Sequence, residues 1–275
     1  MMKNSSKNPR AFDVFGNIAL VKFDKKTSVK DKKHFASNIL KNNKPITTVL
    51  EKTGKFKGRL RKQETKWVAG EKTKEALYRE NNCVFRFNID KVYFSTRLSN
   101  ERKEIAARIQ KGDEVLVMFA GVGPYSIVIA KNSKARMVYS NELNKEANKY
   151  TKLNIELNKV KNKVILLSGN IKNVTNKIKA GLVVNNKKIP AKFSVIIMPR
   201  PQLRDTFLKQ AFLLSKKGTR IFYYDFCKID EINQIVNKVK KEAEMYKKKI
   251  KILKVKKAGE IAPYKFRVRV DFRVL

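Results

Sequence analysis

The chain has 275 residues, enough for two small domains or one large one. Its 42% of hydrophobic residues can build real cores, which excludes a disordered tail. Lys and Arg total 64 against 24 Asp and Glu, a formal charge of +40 and a pI near 10.2, so a phosphate backbone is the natural partner, with a merely lysine-rich surface as the plain alternative.

Residues 1–11 read as a disordered basic start and 12–97 as a small α+β unit. That unit begins with a strand from about Asp13 to Phe23, DVFGNIALVKF, and a helix from about Asp31 to Lys41. Short strands follow at TTVLEK, FKGRLRK, KWVAG and CVFRFNID. A linking helix within 98–112, from about Ser99 to Lys111, carries Ile105 and Ile109 on one face. From 113 to 275 strands and helices alternate, which implies a parallel sheet covered on both faces. EVLVMFA is a continuous apolar run, as a doubly buried strand requires. After it come a helix from about Pro124 to Lys131, the strand ARMVYSNE, and a helix that repeats Leu143, Ala147, Tyr150, Leu153 and Leu157 every three or four residues. Then follow KVILLSG, a short helix, a loop or small hairpin over about 180–192, FSVIIMP, a helix from about Leu203 to Ser215, and GTRIFYYDF. At the end, KIKILKVKK and YKFRVRVDFRVL look antiparallel. In the second, Phe266, Val268, Val270, Phe272 and Val274 alternate with Arg267, Arg269, Asp271 and Arg273, the pattern of a half-buried strand. The expected fold class is α/β: a mostly parallel sheet with an antiparallel last strand, which resembles the plan of class I Rossmann-like methyltransferases, preceded by a small α+β domain.

Cys83 and Cys227 lie far apart, there is no CxxC, and the single histidine, His34, sits in a helix where it reads as structural. No metal site is expected, and a reducing cytoplasm fits better than a disulfide. No apolar run approaches the roughly 20 residues of a membrane span, and the basic start MMKNSSKNPR has no apolar stretch behind it, so no signal peptide is expected.

The sharpest motif is FAGVGPYS, 119–126, between a buried strand and a helix. Gly121 and Gly123 permit a tight turn and close approach of a cofactor to the backbone, and Ser126 stands where GxGxxG has its third glycine. Glu142 ends the next strand, 19 residues after Gly123, where an acid can accept from both hydroxyls of a ribose. A P-loop is absent. NAD and S-adenosylmethionine both suit such a crevice, but a dehydrogenase has no need of +40 and no obvious hydride-transfer histidine is present. MPRPQ, 198–202, leaves the fourth parallel strand where a chain can line the crevice, or can simply be a stiff connection.

The segments FAGVGPYS, SNELNKEANKYTKLNIELNKV, IIMPRPQ and GTRIFYYDF resemble the archaeal and eukaryotic tRNA (guanine-37, N1) methyltransferase family, to which the wyosine-modifying enzymes are related. The stretch from FKGRLRK to FSTRLSNER and the ending APYKFRVRVDFRVL agree with it, so the resemblance covers about 12–275. Family members often carry a further small N-terminal domain that helps grip tRNA; only about ten residues precede the matching region, so that domain is expected to be missing. The resemblance implies S-adenosylmethionine as cofactor, the tRNA anticodon stem-loop as partner, and a monomer. It implies catalytic roles for Glu101, Tyr93 and Arg61, with Arg59 as the alternative arginine. Cofactor contacts are implied for Phe119, Gly121, Val122, Gly123, Tyr125, Glu142, Leu143, Asn144, Asn170 and Pro199. RNA contacts are expected from Arg59, Arg97, Arg102, Arg200 and Pro201. The chemistry is consistent, since N1 of guanine carries a proton that must leave as the methyl arrives and a carboxylate can take it, while a fixed cation can meet charge on O6. Tyr93 and Tyr125 are expected to position base or cofactor by aromatic contact.

Three departures from the family pattern stand out: Val117 replaces an acid, Asn170 replaces the Asp that faces the adenine amino group, and Pro199-Arg200-Pro201 replaces Asn-Leu-Pro. The last of them fits an archaeal branch that also methylates 4-demethylwyosine at position 37. Transfer of an aminocarboxypropyl group from the same cofactor, and an inactive RNA-binding relative, are the alternative functions.

Overall fold

A computed structural model describes residues 11–54, 58 and 63–275. They form two compact units, divided between Thr96 and Arg97.

In the first unit the elements are β1 (Phe12–Phe15), β2 (Ile18–Val21), α1 (Val29–Asn42), β3 (Thr48–Lys52), β4 (Thr65–Gly70), β5 (Glu75–Glu80) and β6 (Cys83–Asn88). β1 to β4 make one sheet in chain order, with β2 and β3 parallel and the other pairs antiparallel. The single strand expected over 13–23 is instead the β1–β2 hairpin, because Gly16 turns at φ 63° and a Cβ there would lie 1.9 Å from the Leu77 carbonyl oxygen. Asn17 fixes that approach, its side-chain oxygen accepting from the Leu77 N–H at 2.7 Å. β5 was not anticipated; it pairs with β6 across Asn81 and Asn82, both left-handed. Ser28 caps α1 by accepting from the Asp31 N–H, and Ala36 and Ile39 bury its inner face against Val21, Val49 and Val68. His34 lies on the exposed side of α1, 3.3 Å from the Asn38 amide. The expected strand FKGRLRK, with Arg59 and Arg61, lies outside the described residues apart from Gly58.

The second unit runs α2 (Ser99–Ala107), β7 (Glu114–Val117), α3 (Pro124–Asn132), β8 (Met137–Glu142), α4 (Lys145–Leu157), β9 (Val164–Ser168), α5 (Ile171–Lys179), the small hairpin β10 (Val183–Val184) and β11 (Lys187–Lys188), β12 (Phe193–Met198), α6 (Leu208–Leu213), β13 (Ser215–Lys228), α7 (Ile232–Met245), β14 (Ile250–Ala262) and β15 (Lys265–Val274). Seven strands form one sheet in the order β14-β15-β13-β12-β7-β8-β9. The five strands from β13 to β9 are parallel, and β15 is antiparallel to both its neighbours. Leu116, Ile196, Ile221 and Phe272 bury one face of this sheet with α5, α6 and α7. Strand order reverses direction between β7 and β12, the place where open α/β sheets form a crevice at strand carboxyl ends.

Three expectations change here. The helix expected over 203–215 shrinks to Leu208–Leu213, because Phe207 is left-handed and Arg200 takes the Leu203 carbonyl that a longer helix would need. α7 was not anticipated, although Ile235, Val239 and Ala243 recur every four residues and are buried. Strand β15 is not half-buried: Arg267, Arg269 and Asp271 on its charged side are all under one-tenth exposed. The reason is that Glu101 and Glu104 of α2 pair with Arg269, and Arg108 directly after α2 pairs with Asp271.

Candidate active site

Strands β7, β8 and β9 each hand over to a helix at the crevice, and the hand-over residues are caps. Gly123 precedes α3, which has Pro124 in its first turn. The Asn144 side chain accepts from the Glu146 N–H at 3.0 Å to start α4, and Asn170 does the same for the Lys172 N–H at 3.1 Å to start α5. Three helix N-termini, with their positive dipole ends, therefore lie at the carboxyl ends of adjacent strands.

The loop between β7 and α3 is left-handed at alternate positions, with φ of 58° at Phe119, 59° at Gly121 and 86° at Gly123. A Cβ on Gly123 would lie 3.0 Å from Thr151 Cγ2 and 3.1 Å from Ile127 Cδ1, so space and conformation both require glycine. Helix α4 holds the loop from below. The Thr151 hydroxyl donates to the Gly121 carbonyl at 2.9 Å, and the Asn154 amide donates to that of Val122 at 3.1 Å. Val122 is itself fully buried, so only its backbone is available to a ligand.

Glu142 closes the end of β8 onto this loop. Its Oε2 accepts from the Gly121 N–H at 2.8 Å and its Oε1 from the Asn144 N–H at 2.7 Å. Burial pushes the carboxyl above its ordinary value, while the N–H groups of Asn144, Gly121 and Leu143 act against the rise. A carboxylate has about four acceptor positions, so room remains for sugar hydroxyls. One strand further, the Asn141 amide donates to the carbonyls of Leu167 at 2.7 Å and Gly169 at 3.0 Å, which fixes the turn into α5. Phe119 meets Phe207 edge-on at 4.9 Å, and Lys172 lies 5.6 Å from the Phe207 ring. Leu143 is exposed, and Pro199 and Pro201 are half-buried where β12 ends.

Glu101, in the first turn of α2, is 6% exposed. It accepts from Arg269 and from the Tyr224 hydroxyl at 2.8 Å on Oε1, and from Lys256 at 3.1 Å on Oε2. Tyr224 in turn receives the hydroxyl of Tyr125, 3.3 Å away.

A carboxylate fixed against a bare glycine loop at strand carboxyl ends is an arrangement suited to a nucleoside. A model of the TRM5/TYW2 methyltransferase domain matches residues 76–253, and one of the TYW2 N-terminal domain matches 3–73. The chain belongs to the TRM5/TYW2 methyltransferase family. It is 32% identical to tRNA (guanine(37)-N(1))-methyltransferase Trm5b of Pyrococcus abyssi over 97% of this chain and 75% of that protein. The crystal structure of that Trm5b superposes with a TM-score of 0.82 at 31% identity, again over 97% and 75%. It is 33% identical to Taw22 of Nanoarchaeum equitans, named a tRNA (guanine(37)-N(1))/4-demethylwyosine(37)-methyltransferase, over 96% of this chain and all of that one. A Methanocaldococcus jannaschii Trm5 in complex with adenosine superposes at a TM-score of 0.76 and 26% identity, covering 96% of this chain and 72% of that one.

In this TRM5/TYW2 chain several expected contacts lie elsewhere than supposed. Arg200, expected at the RNA, is 3% exposed and turned inward. It donates to the carbonyls of Pro201 and Leu203 and pairs with Asp225 at 3.3 Å, so it clamps the 199–206 loop rather than meeting a phosphate. Arg102 is 1% exposed, with its guanidinium 5.9 Å from the Tyr125 ring, and is equally withdrawn from phosphate. Tyr125 is 2% exposed and faces Tyr224, so it supports the loop from inside instead of stacking on a ligand. Burial pushes its phenol up to about 12. The amide oxygen of Asn170, expected at an adenine amino group, accepts from the Lys172 N–H with one of its lone pairs. Arg97 is exposed, and Tyr93, in the first unit, is partly buried.

Sequence reasoning missed the residues that hold the site: Thr151, Asn154, Asn141, Tyr224, Lys256 and Arg269. Two of them left a signal. Thr151 and Asn154 are polar residues on the face of α4 that Ala147 and Ile155 mark as buried. Among the described residues no group of three or more His, Cys, Asp or Glu could hold a metal, and no helix is long and apolar enough to cross a membrane. Cys83 and Cys227 are both buried, and neither is in a disulfide.

Proposed function

We propose that this chain transfers the methyl group of S-adenosylmethionine to the purine at position 37 of tRNA, at guanine N1, at the carbon of 4-demethylwyosine, or at both. The observation that carries this reading is the Glu142 carboxylate, fixed against the glycine loop at the strand ends with acceptor capacity left for a sugar.

The residues present fit the cofactor. Gly121, Gly123 and the start of α3 give a bare backbone cradle, Glu142 an acceptor for ribose hydroxyls, and Leu143, Asn144, Phe119 and Pro199 the flanking walls. Asn170 caps α5 with one lone pair of its amide oxygen and keeps the second to accept from the adenine amino group. When bound, the cofactor supplies an electrophilic methyl on a sulfonium. Everything else falls to the protein. Arg97 with the exposed lysines grips the phosphates, and the Arg200-clamped loop with Pro201 walls the pocket of the target base. That base must leave its stack, because stacking hides the reacting atom. Glu101 takes the N1 proton of guanine, Tyr93 positions the base, and Arg61, or Arg59 in its place, meets charge on O6. The chain acts as a monomer in the cytoplasm.

Methyl transfer onto two tRNAs, one with unmodified guanine at position 37 and one with the tricyclic base, tests the reading. Product on either supports it, and product on both assigns the dual branch. Binding of tRNA without turnover in the presence of the cofactor would defeat it. The match of residues 3–73 to the TYW2 N-terminal domain favours one second reading, transfer of an aminocarboxypropyl group. Mass spectrometry separates the two, since the added masses differ widely.

A further inference from the structure

Glu101 sits in a charge-balanced cluster with a buried centre and a partly exposed rim. Three carboxylates, Glu101, Glu104 and Asp271, meet three cations, Arg108, Lys256 and Arg269. Arg269 is the hub. It has no exposed surface, and its guanidinium reaches all three carboxylates. The same Glu101 oxygen, Oε1, also accepts from the Tyr224 hydroxyl at 2.8 Å, which itself hydrogen-bonds Tyr125 on the first turn of α3, directly after the glycine loop.

A proton acceptor needs a fixed direction and a charge that survives burial. Buried carboxylates lose their charge unless something compensates it. Here compensation comes from β15, a strand with no part in the cofactor crevice, and direction comes from β13 through Tyr224. Among the described residues three donors hydrogen-bond Glu101: Arg269 from β15, Lys256 from β14 and Tyr224 from β13. That leaves about one acceptor position open for an incoming N–H.

We propose that Arg269 is a positioning residue for the methyl-transfer step, holding the Glu101 carboxylate charged and aimed, with Tyr224 completing the mount and tying it through Tyr125 to the cofactor loop. The inference rests on the reading of Glu101 as proton acceptor. It gives the charged alternation of β15 a purpose in turnover beyond pairing of the sheet.

The test uses Arg269→Gln, Arg269→Lys, Tyr224→Phe and Glu101→Gln in the full chain with tRNA and S-adenosylmethionine. Arg269→Gln should lower kcat at least 30-fold with KM for tRNA within about threefold. It should also move the acid limb of the kcat profile upward, because an opposite charge beside the carboxylate is lost. Arg269→Lys should restore the limb most of the way. If folded Arg269→Gln keeps the wild-type limb, whatever its kcat, the residue is only structural and the proposal falls. Where Arg269→Gln does not fold, Tyr224→Phe decides: a limb displaced upward with a 3- to 10-fold lower kcat supports the proposal, and an unmoved limb overturns it. Glu101→Gln tests the underlying reading by itself. Wild-type turnover in that variant removes Glu101 as acceptor, an outcome separate from any result at Arg269.

Discussion

Replacing Glu142 strikes the contact on which the cofactor assignment depends. Its carboxylate takes the Gly121 N–H at 2.8 Å and the Asn144 N–H at 2.7 Å, so its position is set before any ligand arrives. A hydrogen bond to a charged acceptor contributes about 1.5–3 kcal/mol. Two ribose hydroxyls on that carboxylate therefore amount to about 3–6 kcal/mol, and Glu142→Ala should weaken S-adenosylmethionine by about 100- to 10,000-fold at 1.4 kcal/mol per decade. Glu142→Gln keeps one acceptor oxygen and should lose about 10- to 100-fold. The amide cannot satisfy both backbone donors, because its nitrogen would face one of them. Folding should suffer less than binding. Burial raises the Glu142 carboxyl above its ordinary value, so its ionisation at neutral pH costs the folded state something that a neutral amide does not. Isothermal titration calorimetry of cofactor against wild type and both variants gives the answer. If Kd stays within threefold of wild type in folded Glu142→Ala, the sugar is held elsewhere and the crevice has been misassigned.

Gly123→Ala should cost about 1–3 kcal/mol in urea melts, because φ of 86° is strained for alanine and Thr151 Cγ2 lies 3.0 Å from the new methyl; an unchanged midpoint would show that the loop relaxes freely. Acid stability should depend on Glu104, where the Lys256 and Arg269 partners overcome burial and lower the carboxyl from 4.5 to about 2. A carboxyl depressed in the fold stabilises above its unfolded value and loses that contribution as pH falls through the folded one. The advantage of wild type over Glu104→Gln should thus be full at pH 7, at most about 3 kcal/mol, and shrink between pH 4.5 and 2 in denaturant melts. A constant difference would mean that Glu104 carries no such charge coupling.

The parts of this chain that are local in sequence were the parts that could be read from it. FAGVGPYS, Glu142 and the run of strands from β7 to β13 declare themselves because turn chemistry, apolar runs and cap residues act over a few positions. What escaped depends on partners far along the chain. Arg269 alternates with Val268 and Val270 as a solvent-facing residue would, and only α2, some 165 residues earlier, makes it the buried centre of a charge cluster. Arg200 looks like a phosphate ligand until its loop is seen to fold back on it, and Tyr125 looks like a stacking shelf until Tyr224 is placed opposite. The lost half of the 203–215 helix has the same origin, since Arg200 draws the Leu203 carbonyl out of helical pairing. In each case local pattern was overruled by a polar group that tertiary structure buries and then has to satisfy.

Two populations of charge now separate. The cluster around Glu101 is neutral within itself, three against three, so it contributes nothing to the formal +40, which must be carried by the rest of the chain. Buried pairs are screened weakly, whereas exposed charges are screened beyond about 8 Å at physiological ionic strength. Salt should therefore act on the grip and spare the chemistry. Raising salt from 50 to 200 mM should raise KM for tRNA steeply, with log affinity falling by about 0.7–0.9 per phosphate contact for each log of salt, and leave kcat at saturating tRNA within about twofold. Arg97→Ala, at an exposed position, should flatten that slope by about one and leave kcat intact. A kcat that fell in parallel with affinity would show that the acceptor carboxylate depends on surface charge, and that the cluster built around Arg269 does not insulate it.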